Sequence, residues 1–166
     1  MKLHGIIHEL PNHIKLFIGA FIIVLSIGYI SGLQFVRQTE ASTANGIQEN
    51  FLGNEDLDEI EVMKFEKGER EMLSILHTHI LSISFIFFLL GGLLSLTSLP
   101  KKLKSFLMIE PFISIVLTFG GIYLLWKGIL WMKYVVFISG TVMTAVFIIG
   151  AVAILIQLCK KPELST

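Results

Sequence analysis

Cysteine is almost missing: Cys159 is the only one in 166 residues. That excludes an intrachain disulfide, a Cys-x-x-Cys redox pair and a Cys-x-x-Cys-His haem attachment. Charge is scarce as well, at 16% of residues against roughly 25% in a soluble domain. The thirteen bases balance the thirteen acids, so the formal net charge is zero. The sequence holds no P-loop, dinucleotide fingerprint, nucleophile triad or paired catalytic carboxylates. Nothing therefore argues for hydrolase, kinase or nucleic-acid chemistry, and whether the chain is an enzyme stays open.

What the chain has is hydrocarbon. It is 54% hydrophobic, and an apolar run of about 20 residues suffices to cross a bilayer. Four such runs occur, at residues 14–36, 73–99, 106–131 and 134–158. The fold class expected is all-α: a four-helix transmembrane bundle forming a single membrane domain over residues 1–166, with one external acidic loop at 37–72. Little mass is left outside the lipid for a separate catalytic domain. The first run follows Lys2 and Lys15, and "STA" after it offers small residues at cleavage spacing. It is longer than the apolar region of a signal peptide, and Arg37 and Glu40 intervene, so it reads as a retained signal anchor.

Orientation follows from lysine and arginine in short loops. The turn "PKKLKS" holds Lys101, Lys102 and Lys104, and the tail "CKKPELST" holds Lys160 and Lys161. Both fall on the side of the N-terminus, which predicts cytoplasmic termini in a multi-pass protein of the bacterial inner membrane. Residues 37–72 are then outside and carry ten of the thirteen acids. Within them, "QTEASTANGIQENFLGNEDLDE" reads as irregular. "IEVMKFEKGEREMLSIL" reads as helix running into the second span, with Gly68 a break. "WMKY" is a short link that makes the third and fourth spans antiparallel neighbours. Tyr123, Trp126, Trp131 and Tyr134 form an aromatic belt at that end. Glycines lie in every span, where small residues let backbones approach. Gly28 and Gly32 match the small-xxx-small spacing of self-associating helices, with packing inside the bundle as the other reading.

One stretch joins charge to hydrocarbon: "EREMLSILHTHILSISFIFF", residues 69–88, with His77 and His79 at the join. At about 1.5 Å of rise per residue, His77 lies about 8 Å and His79 about 10 Å into the hydrocarbon. Tyr29 lies at about 10 Å, Met143 at about 13 Å and Lys127 at about 6 Å on their own spans. Gln34, Ser82 and Thr141 share the same outer slab. Ionisable residues at membrane depth usually mark a function. Positions i and i+2 point about 200° apart on a helix, so His77 and His79 do not chelate one metal together. Imidazole is a good axial ligand for haem iron. The alternative is that the histidines bond to headgroups or water, that Met143 merely packs and that Lys127 snorkels.

"HTHILSISFIFFLLGGLL" resembles the His-Thr-His opening of the second helix in small, uncharacterised bacterial four-helix membrane proteins. More distantly it is similar to the His-x-His haem-ligand helix of haem-copper oxidase-like proteins. "KKLKSF" at 101–106 and Lys127-Gly128 match the basic turn and basic-glycine pair of the small family. Met143 in "ISGTVMTAVFIIG" stands where that family has a second histidine. The resemblance implies a b-type haem between the second and fourth spans. His77 or His79 would be one axial ligand, with either Met143 as the second or a site that has lost its second ligand, and Tyr29, Gln34 and Lys127 would be the propionate or outer contacts.

Other features weigh less. His4 and His8 sit at i, i+4 and His13 follows Pro11, which suits an interfacial helix better than a zinc site needing about four ligands. "NEDLDEIE" lacks the glycine and spacing of a calcium loop. The acidic loop can steer a basic soluble electron carrier, or be simply solvated. Glu110-Pro111 reads as the first turn of the third span, where proline is tolerated; there Glu110 caps the turn or sits in the interface, a proton relay being the weaker reading. The function expected is a small haem protein in electron transfer or haem handling at the outer membrane face, in contact with membrane lipids. The alternatives are a cofactor-free accessory subunit of a larger membrane complex, and a histidine-based transporter or pH sensor.

Overall fold

The computed structural model describes residues 5–39, 41–55 and 62–160. Five α-helices follow one another: α1 (Asn12–Gln38), α2 (Ala44–Leu52), α3 (Glu69–Ser95), α4 (Lys101–Trp126) and α5 (Met132–Leu158). The described residues contain no strand. All but α2 have 26 or 27 residues and are apolar enough to cross a membrane. Each is about 40 Å long at 1.5 Å per residue, against roughly 30 Å of hydrocarbon. Their ends therefore stand among the headgroups.

Local chemistry sets the helix ends. Pro11 and Pro100 occupy the N-caps of α1 and α4, where a missing N–H costs nothing. Glu69 and Glu71 lie in the first turn of α3, facing its positive dipole end. At the other end of α3, Lys104 Nζ donates to the carbonyls of Ser95 and Thr97, which lack helical partners. α4 stops at Gly128, whose φ of +94° favours glycine. Gly128 N donates to Leu125 O and Ile129 N to Leu124 O, the paired bonds of a Schellman stop.

α4 and α5 form the packed centre. In their most apolar stretches 44% and 39% of residues are buried, against 11% in both α1 and α3. Small residues set the crossings, as lipid offers no hydrophobic drive between helices. A Cβ added at Gly121 of α4 would lie 2.8 Å from Val136 Cγ2 of α5. One at Gly150 of α5 would lie 3.2 Å from Leu90 Cδ2 of α3. Gly28 and Gly32 of α1 have nothing within 4 Å, so they do not serve packing inside this bundle.

The spans begin and end a few residues from the hydropathy limits, and three connections differ from expectation. The segment after α1, read as irregular, contains α2. Thr43 Oγ1 accepts from Gly46 N at 3.0 Å, an N-cap, and Ile47 and Phe51, one turn apart, are buried. Residues 62–68, read as helix, are not helical. Asn54 holds their backbone instead, donating to Val62 O at 3.0 Å and accepting from Lys64 N at 2.7 Å. The α4–α5 turn spans 127–131, one helical turn before "WMKY".

Residues 41–55 and 62–68 fold over one end of the bundle. Trp126 Nε1 donates to Lys67 O at 2.8 Å, and Lys133 Nζ donates to Asn45 Oδ1 and Gln48 Oε1, both at 2.9 Å. At the opposite, lysine-rich end, a 3-10 turn (Ile6–Glu9) replaces the expected amphipathic helix. It docks on the α3–α4 turn through Gly5 N to Thr97 O and Ile7 N to Leu96 O, with Ile7 fully buried. His4 and the acidic run 56–61 lie outside the described residues, and with them the calcium-loop reading and half of the His4/His8 pair.

Candidate functional site

The residues expected to share one site occupy separate places. His79, on the third turn of α3, rests its ring against Phe119 of α4, with centroids 5.6 Å apart. Its Nδ1 lies 2.8 Å from Ile75 O. A carbonyl only accepts, so Nδ1 carries the proton, and in the neutral ring Nε2 keeps the lone pair. His79 is nevertheless exposed, as are His77, Thr78 and Ser82 on the same helix. His77 makes no hydrogen bond within the described residues.

Met143 of α5 is 6% exposed and belongs to the core. Tyr29 of α1 is half-buried. Its ring stacks on Phe147 at 3.9 Å and meets Phe87 edge-on at 6.4 Å, while its hydroxyl lies 3.3 Å from Thr144 Oγ1. Lys127 is the C-cap of α4 rather than a residue inside a helix. Its ammonium sits 4.2 Å from the Trp126 ring centroid and 5.7 Å from that of Tyr123, a cation–π arrangement. Gln34 is exposed near the end of α1. Tyr29 is thus tied to α5, Lys127 to its own aromatic belt and the His79 ring to Phe119 of α4, while His77 is exposed. The described residues hold no group of three or more His, Cys, Asp or Glu able to bind a metal.

A second polar feature lies on α4. α4 begins at Lys101, so Glu110 and Pro111 lie inside the helix, not in its first turn. Ser114 Oγ donates to Glu110 Oε1. Glu110 Oε2 is enclosed and has no hydrogen-bond partner. One turn further, Thr118 Oγ1 and Ser139 Oγ of α5 lie 2.7 Å apart, both residues buried. Two open grooves meet at Glu110. One, of about 450 Å³, runs past Lys102, Phe106 and Ile109. The other, of about 270 Å³, follows the α4–α5 seam past Ser114, Leu117 and Ser139. None of His77, His79 and Met143 lines either groove. The signal for this feature is in the sequence: Glu110, Ser114 and Thr118 recur at i, i+4, i+8, one helix face.

Residues 41–165 match the Aq_1264_TM family, described as a transmembrane helical domain. The chain belongs to that family. No curated protein and no solved structure matches it. The Aq_1264_TM match, together with four apolar helices, makes the chain a multi-pass membrane protein. The match goes no finer: it supports neither kinship with haem-copper oxidase-like proteins nor a histidine motif. Its residues take in α2 to α5, with both candidate features, and leave α1 outside the Aq_1264_TM region.

Proposed function

We propose that this chain is a membrane-embedded accessory subunit that docks in a larger complex through α1 and α3. One observation carries the reading. These two spans are the least packed, and at membrane depth they expose Gln34, His77 and Thr78, whose side chains have no hydrogen-bond partner among the described residues, and His79, whose Nε2 has none. Polar side chains facing hydrocarbon cost free energy unless something bonds to them. A partner helix with polar residues satisfies them; lipid tails do not. The lysine-rich end is cytoplasmic in this reading and the α2 end outside, by the positive-inside rule. The test is native electrophoresis of the tagged chain extracted in mild detergent. Wild type is expected in a species well above a lone chain, and His77→Leu with His79→Leu is expected to release it. A wild-type chain migrating alone refutes the reading.

His79 supports a second reading, the b-type haem protein acting in electron transfer or haem handling. With Nδ1–H held by the Ile75 carbonyl, Nε2 is oriented as a ligand atom, the usual role of a hydrogen bond behind a ligating imidazole. One axial position therefore fits. The second does not come from Met143, which is packed in the core, so the other ligand belongs to a partner at the same face. Haem would supply one-electron chemistry there. A visible spectrum of protein from haem-supplied cells tests this. The haem bands are expected to vanish in His79→Ala and to survive Met143→Leu; a colourless wild type refutes it.

A further inference from the structure

The α4–α5 seam carries a feature independent of the histidine face. Glu110 lies nine residues into α4, about 14 Å along its axis, inside a helix that crosses the membrane. It is the sole acid between Glu71 and Glu163. One carboxyl oxygen accepts from Ser114, and the other is enclosed with no partner. Pro111 in the next position has no N–H, so the Leu107 carbonyl loses its helical donor in the same turn.

Among the described residues no ion pair to Glu110 is formed. The nearest cation along the same face of α4 is Lys102, two turns away at the far end of the 450 Å³ groove, about 12 Å along the axis. α5 faces Glu110 with Val135, Ile138, Ser139 and Val142, and carries no ionisable side chain between Tyr134 and Cys159. α3 has none between His79 and its end at Ser95. α1 has only Tyr29 between Lys15 and Arg37, and that hydroxyl is engaged with Thr144. A bare carboxylate here pays a desolvation penalty with no ion pair to offset it.

We propose that Glu110 is an intramembrane proton-binding site, occupied as the neutral acid and exchanging its proton through the groove that opens past Lys102. Ser114 positions the carboxyl through its bond to Oε1. The Thr118–Ser139 hydroxyl pair continues the polar face deeper along the seam, and the apolar walls keep the acid from bulk water.

Dicyclohexylcarbodiimide tests the site on the full chain in lipid nanodiscs. The reagent adds a carboxylic acid across one C=N bond, and the O-acylisourea rearranges to an N-acylurea that retains every atom. It reacts with protonated carboxyls in apolar surroundings. Peptide mapping of wild type is expected to place the adduct on Glu110. A water-soluble carbodiimide is expected to label the loop acids, such as Glu66 and Glu69, and spare Glu110. Glu110→Gln should abolish the hydrophobic label, and the wild-type map locates it even if that variant fails to fold. Glu110 left unlabelled by the hydrophobic reagent, or labelled equally by the soluble one, overturns the proposal.

Discussion

Gly121→Ala probes the closest approach in the bundle, and Gly120→Ala is its matched control. The two residues are adjacent on α4, and both changes add one methyl group. At Gly120 the added Cβ meets nothing within 4 Å; at Gly121 it falls 2.8 Å from Val136 Cγ2. The helix propensity term is the same for both, a gain of about 1 kcal/mol for alanine over glycine. It cancels in the difference between the variants. What remains is the clash. Cγ2 is a branch of a stiff side chain, and Val136 is 5% exposed, so it has no way to swing aside. Relief requires α4 and α5 to separate, and overpacking of this kind costs roughly 1–3 kcal/mol. Gly120→Ala should therefore be as stable as wild type or slightly more so, and Gly121→Ala less stable than it by about 1–3 kcal/mol.

The assay is SDS titration of protein in a mild non-ionic detergent, followed by circular dichroism or tryptophan emission. Val136→Ala supplies the second leg of a double-mutant cycle, since it removes the atom that Gly121→Ala would strike. The double variant should recover most of the loss, giving a coupling of about 1 kcal/mol or more. Equal stability of Gly120→Ala and Gly121→Ala would refute the α4–α5 crossing described above.

Three further outcomes follow from particular contacts. Thr118→Val and Ser139→Ala each break the buried hydroxyl pair, and their cycle should show a coupling near 0.6 kcal/mol, at most about 2, as for other hydrogen bonds between membrane helices; full additivity would mean that the hydroxyls bond only to their own helices. Trp126→Phe removes the bond to Lys67 O and should cost about 1 kcal/mol, with faster proteolysis of the 41–68 segment; unchanged proteolysis would mean that segment is held by α2 alone. Glu66→Cys in a Cys159→Ser background should react with a membrane-impermeant maleimide added outside intact cells, while native Cys159, exposed at the lysine-rich end, should not; the reverse pattern would invert the orientation.

The four spans were legible because hydropathy over some twenty residues is a strong, redundant signal. Their limits were less so. Lys101, Lys102 and Lys104 read as a loop by charge, yet they begin α4, and Lys104 caps the end of α3. Long side chains at helix ends keep charge in the headgroups while their backbone is already helical. That five-residue shift is what turned Pro111 from a first-turn residue into an interior one, and Glu110 from a cap into an embedded acid. Helix α2 was hidden by Asn and Gly around a short apolar pair, although Thr43 three residues before Gly46 is an N-cap pattern. Residues 62–68 kept their charge-rich helical look because the competitor, the Asn54 side chain, lies eight to ten residues away in sequence. Local pattern reading has no access to such a partner.

Depth alone was also too coarse a criterion for the site. His77, His79, Met143, Lys127 and Tyr29 do share a slab of the membrane by residue count, but a slab is a ring of faces rather than a place. A helix fixes azimuth as firmly as height, and azimuth assigns these residues elsewhere. Met143 packs in the core, Tyr29 on Phe147, Lys127 on Trp126 and the His79 ring on Phe119, while His77 is exposed. Glu110, Ser114 and Thr118 differ because they share both coordinates, one helix face and consecutive turns. That spacing brings polar groups together whatever the neighbouring helices do, and only Ser139 had to be supplied by the fold. A polar constellation built on one helix survives errors of register between helices; one drawn across three helices depends on every crossing. The embedded acid is therefore the firmer part of this chain's chemistry, and the histidines gain a role only through whatever meets α1 and α3 from outside.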